Sequence, residues 1–177
     1  MKVIENSMIL PDVLRLNLDI VFCGSAVGSA SAIKQAYYAG PGNKFYSMLA
    51  KTGLTPMQLL PVHYIKVLDY NIGLTDIVKT VSGSDSILKK GDFDVAGFKK
   101  KIVNYQPRIV CFNGKAAAAA YLSKKTKDIE YGLLPDKIGN TKLFVAPSTS
   151  GSANGFWDES YWFMLKKIIE SNESDSK

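Results

Sequence analysis

Two loops of small residues, Gly24-Ser25-Ala26-Val27-Gly28 and Pro147-Ser148-Thr149-Ser150-Gly151, each follow directly on a short apolar run that reads as a buried strand. Placed at neighbouring strand ends, two such loops make one site. The glycines taken alone serve equally well for tight turning. Neither loop is a nucleotide fingerprint. The Gly-x-x-x-Gly spacing differs from the Gly-x-Gly-x-x-Gly of dinucleotide sites, and Lys115 in Asn113-Gly114-Lys115 lacks the glycine-rich lead of a P-loop. One histidine, His63, and two cysteines, Cys23 and Cys111, cannot by those residue types supply a four-ligand zinc or iron–sulfur site. His63 reads as a packing or capping residue, and the cysteines, in strands, as small hydrophobes.

The elements that must carry these loops alternate along the chain. Leu18 to Cys23, Arg108 to Phe112 and Lys142 to Ala146 are near-continuous apolar runs, the pattern of strands buried on both faces, and a further short strand is expected at Leu74 to Val78. Helices are expected over Asn43 to Thr52, Val95 to Asn104, Ala116 to Leu122 and Asp158 to about Glu170. In the last, Asp158 is the N-cap and Trp162, Leu165 and Ile169 form the apolar side. Alternation of this kind predicts an α/β fold, a three-layer α/β/α sandwich on a mainly parallel sheet. Such sheets bind ligands beyond the carboxyl ends of their strands, where Gly24 to Gly28, Asn113-Gly114-Lys115 and Ser148 to Gly151 fall.

The 177 residues suit one domain, with a polar loop at Ser82 to Gly91 and a frayed tail from about Ser171. A 46% hydrophobic and 21% charged composition is that of a globular protein, and no run approaches a membrane span. The first seven residues lack a leader pattern, so an intracellular protein is expected. A net charge of +6 favours an anionic partner. Eleven of the 22 Lys and Arg residues lie between Lys79 and Lys127, including Lys99-Lys100-Lys101 and Lys124-Lys125, which points either to a solvated face or to phosphate contacts beside the cleft.

Between the two loops stands Tyr38-Ala39-Gly40-Pro41-Gly42-Asn43-Lys44-Phe45-Tyr46. Together the three segments resemble the mismatch-specific uracil/thymine DNA glycosylase branch of the uracil-DNA glycosylase superfamily, over roughly Asp19 to Leu165. In that family the first loop reads Gly-Ile-Asn-Pro-Gly, the middle segment Phe-Ala-x-Pro-x-Asn-Arg-Phe-Trp and the last loop Asn-Pro-Ser-Gly. Ala26 stands where the family has its water-positioning Asn, and Ser148 where the last loop has Asn.

The resemblance implies a division of labour. Tyr38 would stack on a flipped base, and the backbone of Gly24 to Gly28 would stabilise the base as it leaves with negative charge. Val27, Asn43 and Asn113 would complete the base pocket, and Lys115, Ser150, Gly151, Ser152 and Asn154 would hold the DNA strand. The family's duplex wedge corresponds to the small polar Ser152-Ala153-Asn154. With Ala26 unable to orient water, Asp76 is the first substitute, followed by Ser25, Ser148 and Ser150. The family needs no metal or cofactor, and a monomer is expected. Three readings follow: a monofunctional glycosylase acting on uracil in DNA, a silent lesion-binding or single-strand-binding module of the same fold, and a nucleoside- or nucleotide-acting α/β enzyme.

Overall fold

The structure, a computed structural model, describes residues 7–174. Five strands, β1 (Ile20–Gly24), β2 (Ile72–Asp76), β3 (Ile109–Asn113), β4 (Gly132–Ile138) and β5 (Thr141–Ala146), form one sheet in the order β2-β1-β3-β5-β4. All neighbours run parallel except β4, which pairs antiparallel with β5. Helices α1 (Ser29–Lys34), α2 (Phe45–Lys51), α3 (Val95–Tyr105), α4 (Lys115–Leu122) and α5 (Ser160–Ser174) cover both faces. The three-layer α/β/α arrangement expected from the alternating pattern is the one observed.

Both faces of the sheet are packed, which is why its central strands read as unbroken apolar runs. On one face Ile20, Phe22, Leu74 and Phe144 meet Phe45 of α2 and Trp162 and Leu165 of α5. Phe22 stacks on Trp162 with ring centroids 5.4 Å apart and meets Phe45 edge-on at 5.1 Å. On the other face Val21, Val110, Phe112 and Val145 pack against Phe98 and Ile102 of α3 and the alanines of α4.

Several expectations are corrected. β2 ends at Asp76 instead of reaching Val78, because the N–H groups of Ile77 and Val78 turn away from the ladder to donate to the carbonyls of Gly24 (3.2 Å) and Ser25 (2.8 Å). β4 escaped the pattern because its middle is solvent-facing, carries Pro135 and loses register between Leu133 and Lys137, features of an edge strand. α1 is six residues long and has no side-chain cap, so it leaves no sequence signal. The last helix starts at Ser160, with Asp158 Oδ1 accepting from the Ser160 N–H at 3.0 Å, and continues to Ser174 through the start of the expected tail. Residues 1–6 and 175–177, which carry most of the leader reading and the end of the tail, lie outside the described residues. No described helix is long and apolar enough to cross a membrane.

Candidate active site

Parallel register carries the last residues of the central strands to one edge of the sheet: Gly24 lies opposite Asp76, and Asn113 opposite Ala146. Beyond that edge opens a cleft of about 980 Å³, bounded by the loop after β1, the segment before α2, the start of α4 and the loop after β5.

The β1 loop is held from behind. Carbonyls of Gly24, Ser25 and Val27 accept from Ile77, Val78 and Gly83. The amides of Ala26, Val27 and Gly28 make no hydrogen bond among the described residues, and all three residues line the cleft. A row of uncommitted donors on a pinned loop is suited to negative charge on a bound group.

Tyr38 occupies the left-handed region at φ +54°, an uncommon conformation for a bulky residue that its surroundings must enforce. They do so on both sides. Ser31 Oγ accepts from the Ala39 N–H at 2.9 Å, Lys34 Nζ donates to the Ala39 carbonyl, and Tyr46 donates to the Tyr37 carbonyl at 2.7 Å. Phe45 stacks on the Tyr38 ring at 3.9 Å, while the residue stays partly exposed and lines the cleft. The hydroxyl points inward. It is buried with no well-formed hydrogen bond, beside Asn113, whose amide donates to Thr149 Oγ1 at 2.9 Å and accepts from the Thr149 N–H at 3.0 Å.

Asp76 reaches the cleft floor over a missing side chain. Its Oδ1 lies 2.6 Å from where a Cβ on residue 24 would stand, so only glycine there lets the carboxyl cross the strand. The residue is 3% exposed and its Oδ2 is buried without a partner. Burial pushes its pKa up to about 7, and Asp12 adds to the rise while Lys79 and Lys101 oppose it. Near neutrality this carboxyl is present in both forms.

The β5 loop closes the opposite wall. Besides its Asn113 contacts, Thr149 accepts from the Lys44 N–H at 2.9 Å, and Gly151 packs so closely on the Pro41 carbonyl that a Cβ would come to 2.9 Å. The segment before α2 and the loop after β5 therefore act as one piece.

The uracil DNA glycosylase superfamily model matches residues 11–168, nearly the whole chain. The chain belongs to the uracil DNA glycosylase superfamily. Its fold is similar to the solution NMR structure of a candidate uracil DNA glycosylase from Methanosarcina acetivorans, at 26% identity and a TM-score of 0.61, over 91% of this chain and 96% of that one.

Within this glycosylase-family cleft, Gly24 to Gly28, Tyr38, Asn43, Asp76, Asn113, Lys115, Ser148, Ser150, Gly151 and Ser152 all line one space. Asn43 Oδ1 is committed to the Phe45 N–H at 2.9 Å, starting α2. Asn154 stands outside the cleft lining and accepts instead from Lys44 Nζ, whose ammonium also sits 5.2 Å from the Trp157 ring. The rim carries a large apolar side chain that sequence reasoning passed over: Phe156, 77% exposed, in the 3-10 segment Gly151–Phe156. Its lone position amid Gly, Trp and Asp left no periodic signal. The lysine cluster divides. Lys127 lines the cleft, Lys99 and Lys100 face solvent on α3, and Lys101 turns inward to pair with Asp12. His63 is exposed on the 3-10 segment Pro61–Tyr70, away from the cleft lining.

Proposed function

We propose that this chain is a monofunctional DNA glycosylase that removes uracil from DNA, of the mismatch-specific type with Ala26 in place of the loop-one Asn. The observation that carries the reading is the apposition, in one cleft, of a ring supported from behind by Phe45 and a pinned loop of uncommitted amides. A duplex hides its bases, so the nucleotide must rotate out, and its base enters first while the sugar stays at the mouth with the backbone. The base then lies on Tyr38. The Asp76 carboxyl, anticipated as a water-orienting group, stands too deep for the sugar and meets the edge of the base.

In the reaction the C1′–N bond breaks with its electron pair going to the base. The amides of Ala26 to Gly28 favour the resulting anion, and water adds its OH to C1′ while its proton passes through solvent to the departing base. Stabilising the leaving group needs no side chain in the loop, which is compatible with alanine at position 26. Water enters at the rim, beside Ser148 and Asn43. Phe156 takes the place of a wedge that fills the duplex gap, and Lys115, Lys127 and Ser150 to Ser152 contact the backbone of the DNA. The protein works as a monomer without metal or cofactor.

The decisive measurement is single-turnover cleavage of uracil-containing oligonucleotides, read as alkali-labile abasic sites. The expected result is stoichiometric product, its rate reduced roughly 5- to 150-fold by Tyr38→Ala through lost stacking of about 1–3 kcal/mol. A full rate in that variant on single-stranded DNA rejects the assigned place of the base. Ala26, which offers water no polar group, favours a second reading as a silent lesion-binding module. Tight, salt-sensitive binding without abasic product selects it.

A further inference from the structure

Behind the cleft floor, wrapped around the edge strand β2, lies a cluster that no step above uses. Asp12 holds two ammonium groups, Lys79 Nζ at 2.9 Å from Oδ1 and Lys101 Nζ at 2.5 Å from Oδ2. Thr75 Oγ1 donates to Asp12 at 2.7 Å and accepts from Lys101 at 3.2 Å, and Lys79 donates to the Tyr37 hydroxyl at 3.0 Å. The three charged side chains are only 14–20% exposed, so salt and water screen them weakly. None lines the cleft. Yet the cluster grips Thr75 and Tyr37, the residues immediately before Asp76 and Tyr38 in the chain.

We propose that Asp12, Lys79 and Lys101 form a charge cluster that sets the protonation of Asp76 and thereby the base edge that the cleft accepts. This rests on reading the cleft as a glycosylase base pocket. The titratable groups that act electrostatically on Asp76 are the Cys23 thiol of β1, the phenols of Tyr37 and Tyr38, Asp12 of the N-terminal segment, Lys79 of the following loop and Lys101 of α3. Burial pushes the thiol and both phenols upward, so they stay neutral, and Asp12, Lys79 and Lys101 are the charges that act on it. Burial also works against the ionisation of Asp12, but its two lysines outweigh it and hold that carboxyl below its ordinary range. The cluster thus keeps a net charge of +1 beside Asp76, and an ionised Asp76 balances it to zero.

The consequence is chemical selectivity. A neutral carboxyl carries a proton that it can donate to O4 of uracil. An ionised carboxyl offers acceptors alone and repels O4. Cleavage of uracil therefore has a high-pH limb governed by Asp76, and the distant cluster decides where that limb falls. Without the lysines the carboxyl would stay neutral to higher pH; without Asp12 it would ionise sooner.

The test titrates Asp76 directly, by its side-chain ¹³C carboxyl shift, in the full chain and in Lys101→Met, Lys79→Gln and Asp12→Asn, with single-turnover uracil cleavage followed against pH beside it. The midpoint is expected to rise by about one pH unit in either lysine variant and to fall by a similar amount in Asp12→Asn, the high-pH limb moving with it. Asp76→Asn, which cannot ionise, removes the limb. General damage to the fold cannot move the midpoint in opposite directions, and two independent lysine variants guard against one that does not fold. Midpoints that stay put, or move the same way in all variants, overturn the inference, as does a limb that ignores a moving midpoint. The carboxyl titration does not require turnover. If it shifts as stated while the wild-type chain cleaves nothing, the glycosylase reading fails, and the limb is then sought in binding of the uracil oligonucleotide, where its absence overturns the recognition half.

Discussion

At the floor of the cleft Asp76, Tyr38 and Asn113 stand on strand ends or against Phe45, with the Tyr38 hydroxyl and Asp76 Oδ2 buried; on its far rim, Gly151 to Phe156 form a 3-10 turn with Ser152, Asn154 and Phe156 exposed. The floor is determined by packing from both faces of the sheet. A change of one methyl group there is felt, and the electrostatics are those of a poorly solvated interior. The rim is tied down by a few contacts between loops, Thr149 to Asn113 and Lys44 to Asn154, and its exposed groups are free to follow a ligand. The difference teaches how the proposed function divides: on that reading the rigid floor meets the base and the looser rim holds the strand.

The contrast is broken most severely by touching the buried carboxyl. Because its native pKa is raised from 3.8 to about 7, the folded chain prefers Asp76 neutral. The stability this confers is complete below about pH 4, and it is lost as pH rises through the native value and the folded carboxyl ionises. Asp76→Asn escapes that loss. Relative to wild type it should gain at most about 4 kcal/mol on going from pH 4 to pH 8, checked by urea unfolding at both pH values; equal differences would mean that Asp76 is solvated.

Gly24→Ala comes next, since its Cβ would stand 2.6 Å from Asp76 Oδ1 on a strand with no room to move. It should cost about 1–3 kcal/mol of stability and displace the carboxyl, lowering uracil cleavage even in variants that remain folded. An unaltered rate would place Asp76 outside the working site. On the rim, Phe156→Ala should slow cleavage of duplex substrate roughly tenfold, about 1.4 kcal/mol, and leave single-stranded substrate unaffected. Equal slowing on both would give Phe156 a place in the base pocket instead of between base pairs. The smallest effect belongs to the exposed Lys51–Glu159 pair, N to O 2.6 Å with both side chains about half exposed. Lys51→Ala should change stability by less than about 1 kcal/mol in the same urea titration.

The parts of the fold legible in the chain are those in which local pattern and tertiary environment agree. β1, β3 and β5 are packed on both faces, so their runs are uninterrupted. Asp158 stands two residues before the helix that it is expected to cap and accepts from the first helical N–H, and Tyr38 to Tyr46 carries enough specific residues to suggest its family. What escaped has a physical reason in each case. β4 is an edge strand with a proline and a shifted register, and α1 is too short for a period. The end of β2 is set by Ile77 and Val78 finding carbonyls on another loop. Of the anticipated site residues Asn154 alone falls outside the cleft lining, because Lys44 draws it aside.

From its residues alone the chain dictates a parallel sheet buried on both sides, small loops at the strand ends, and a tyrosine within a segment rich in turn formers. These follow from side-chain size, periodicity and glycine content, which act over a few residues. Whether Asp76 carries a charge at neutral pH, which lysine of the Lys99-Lys100-Lys101 run turns inward, and that Phe156 stands at the mouth of the cleft were decided by the folded structure. Desolvation and Coulomb interaction act through space, and residues 12, 76, 79 and 101 become neighbours only when the sheet edge brings them together.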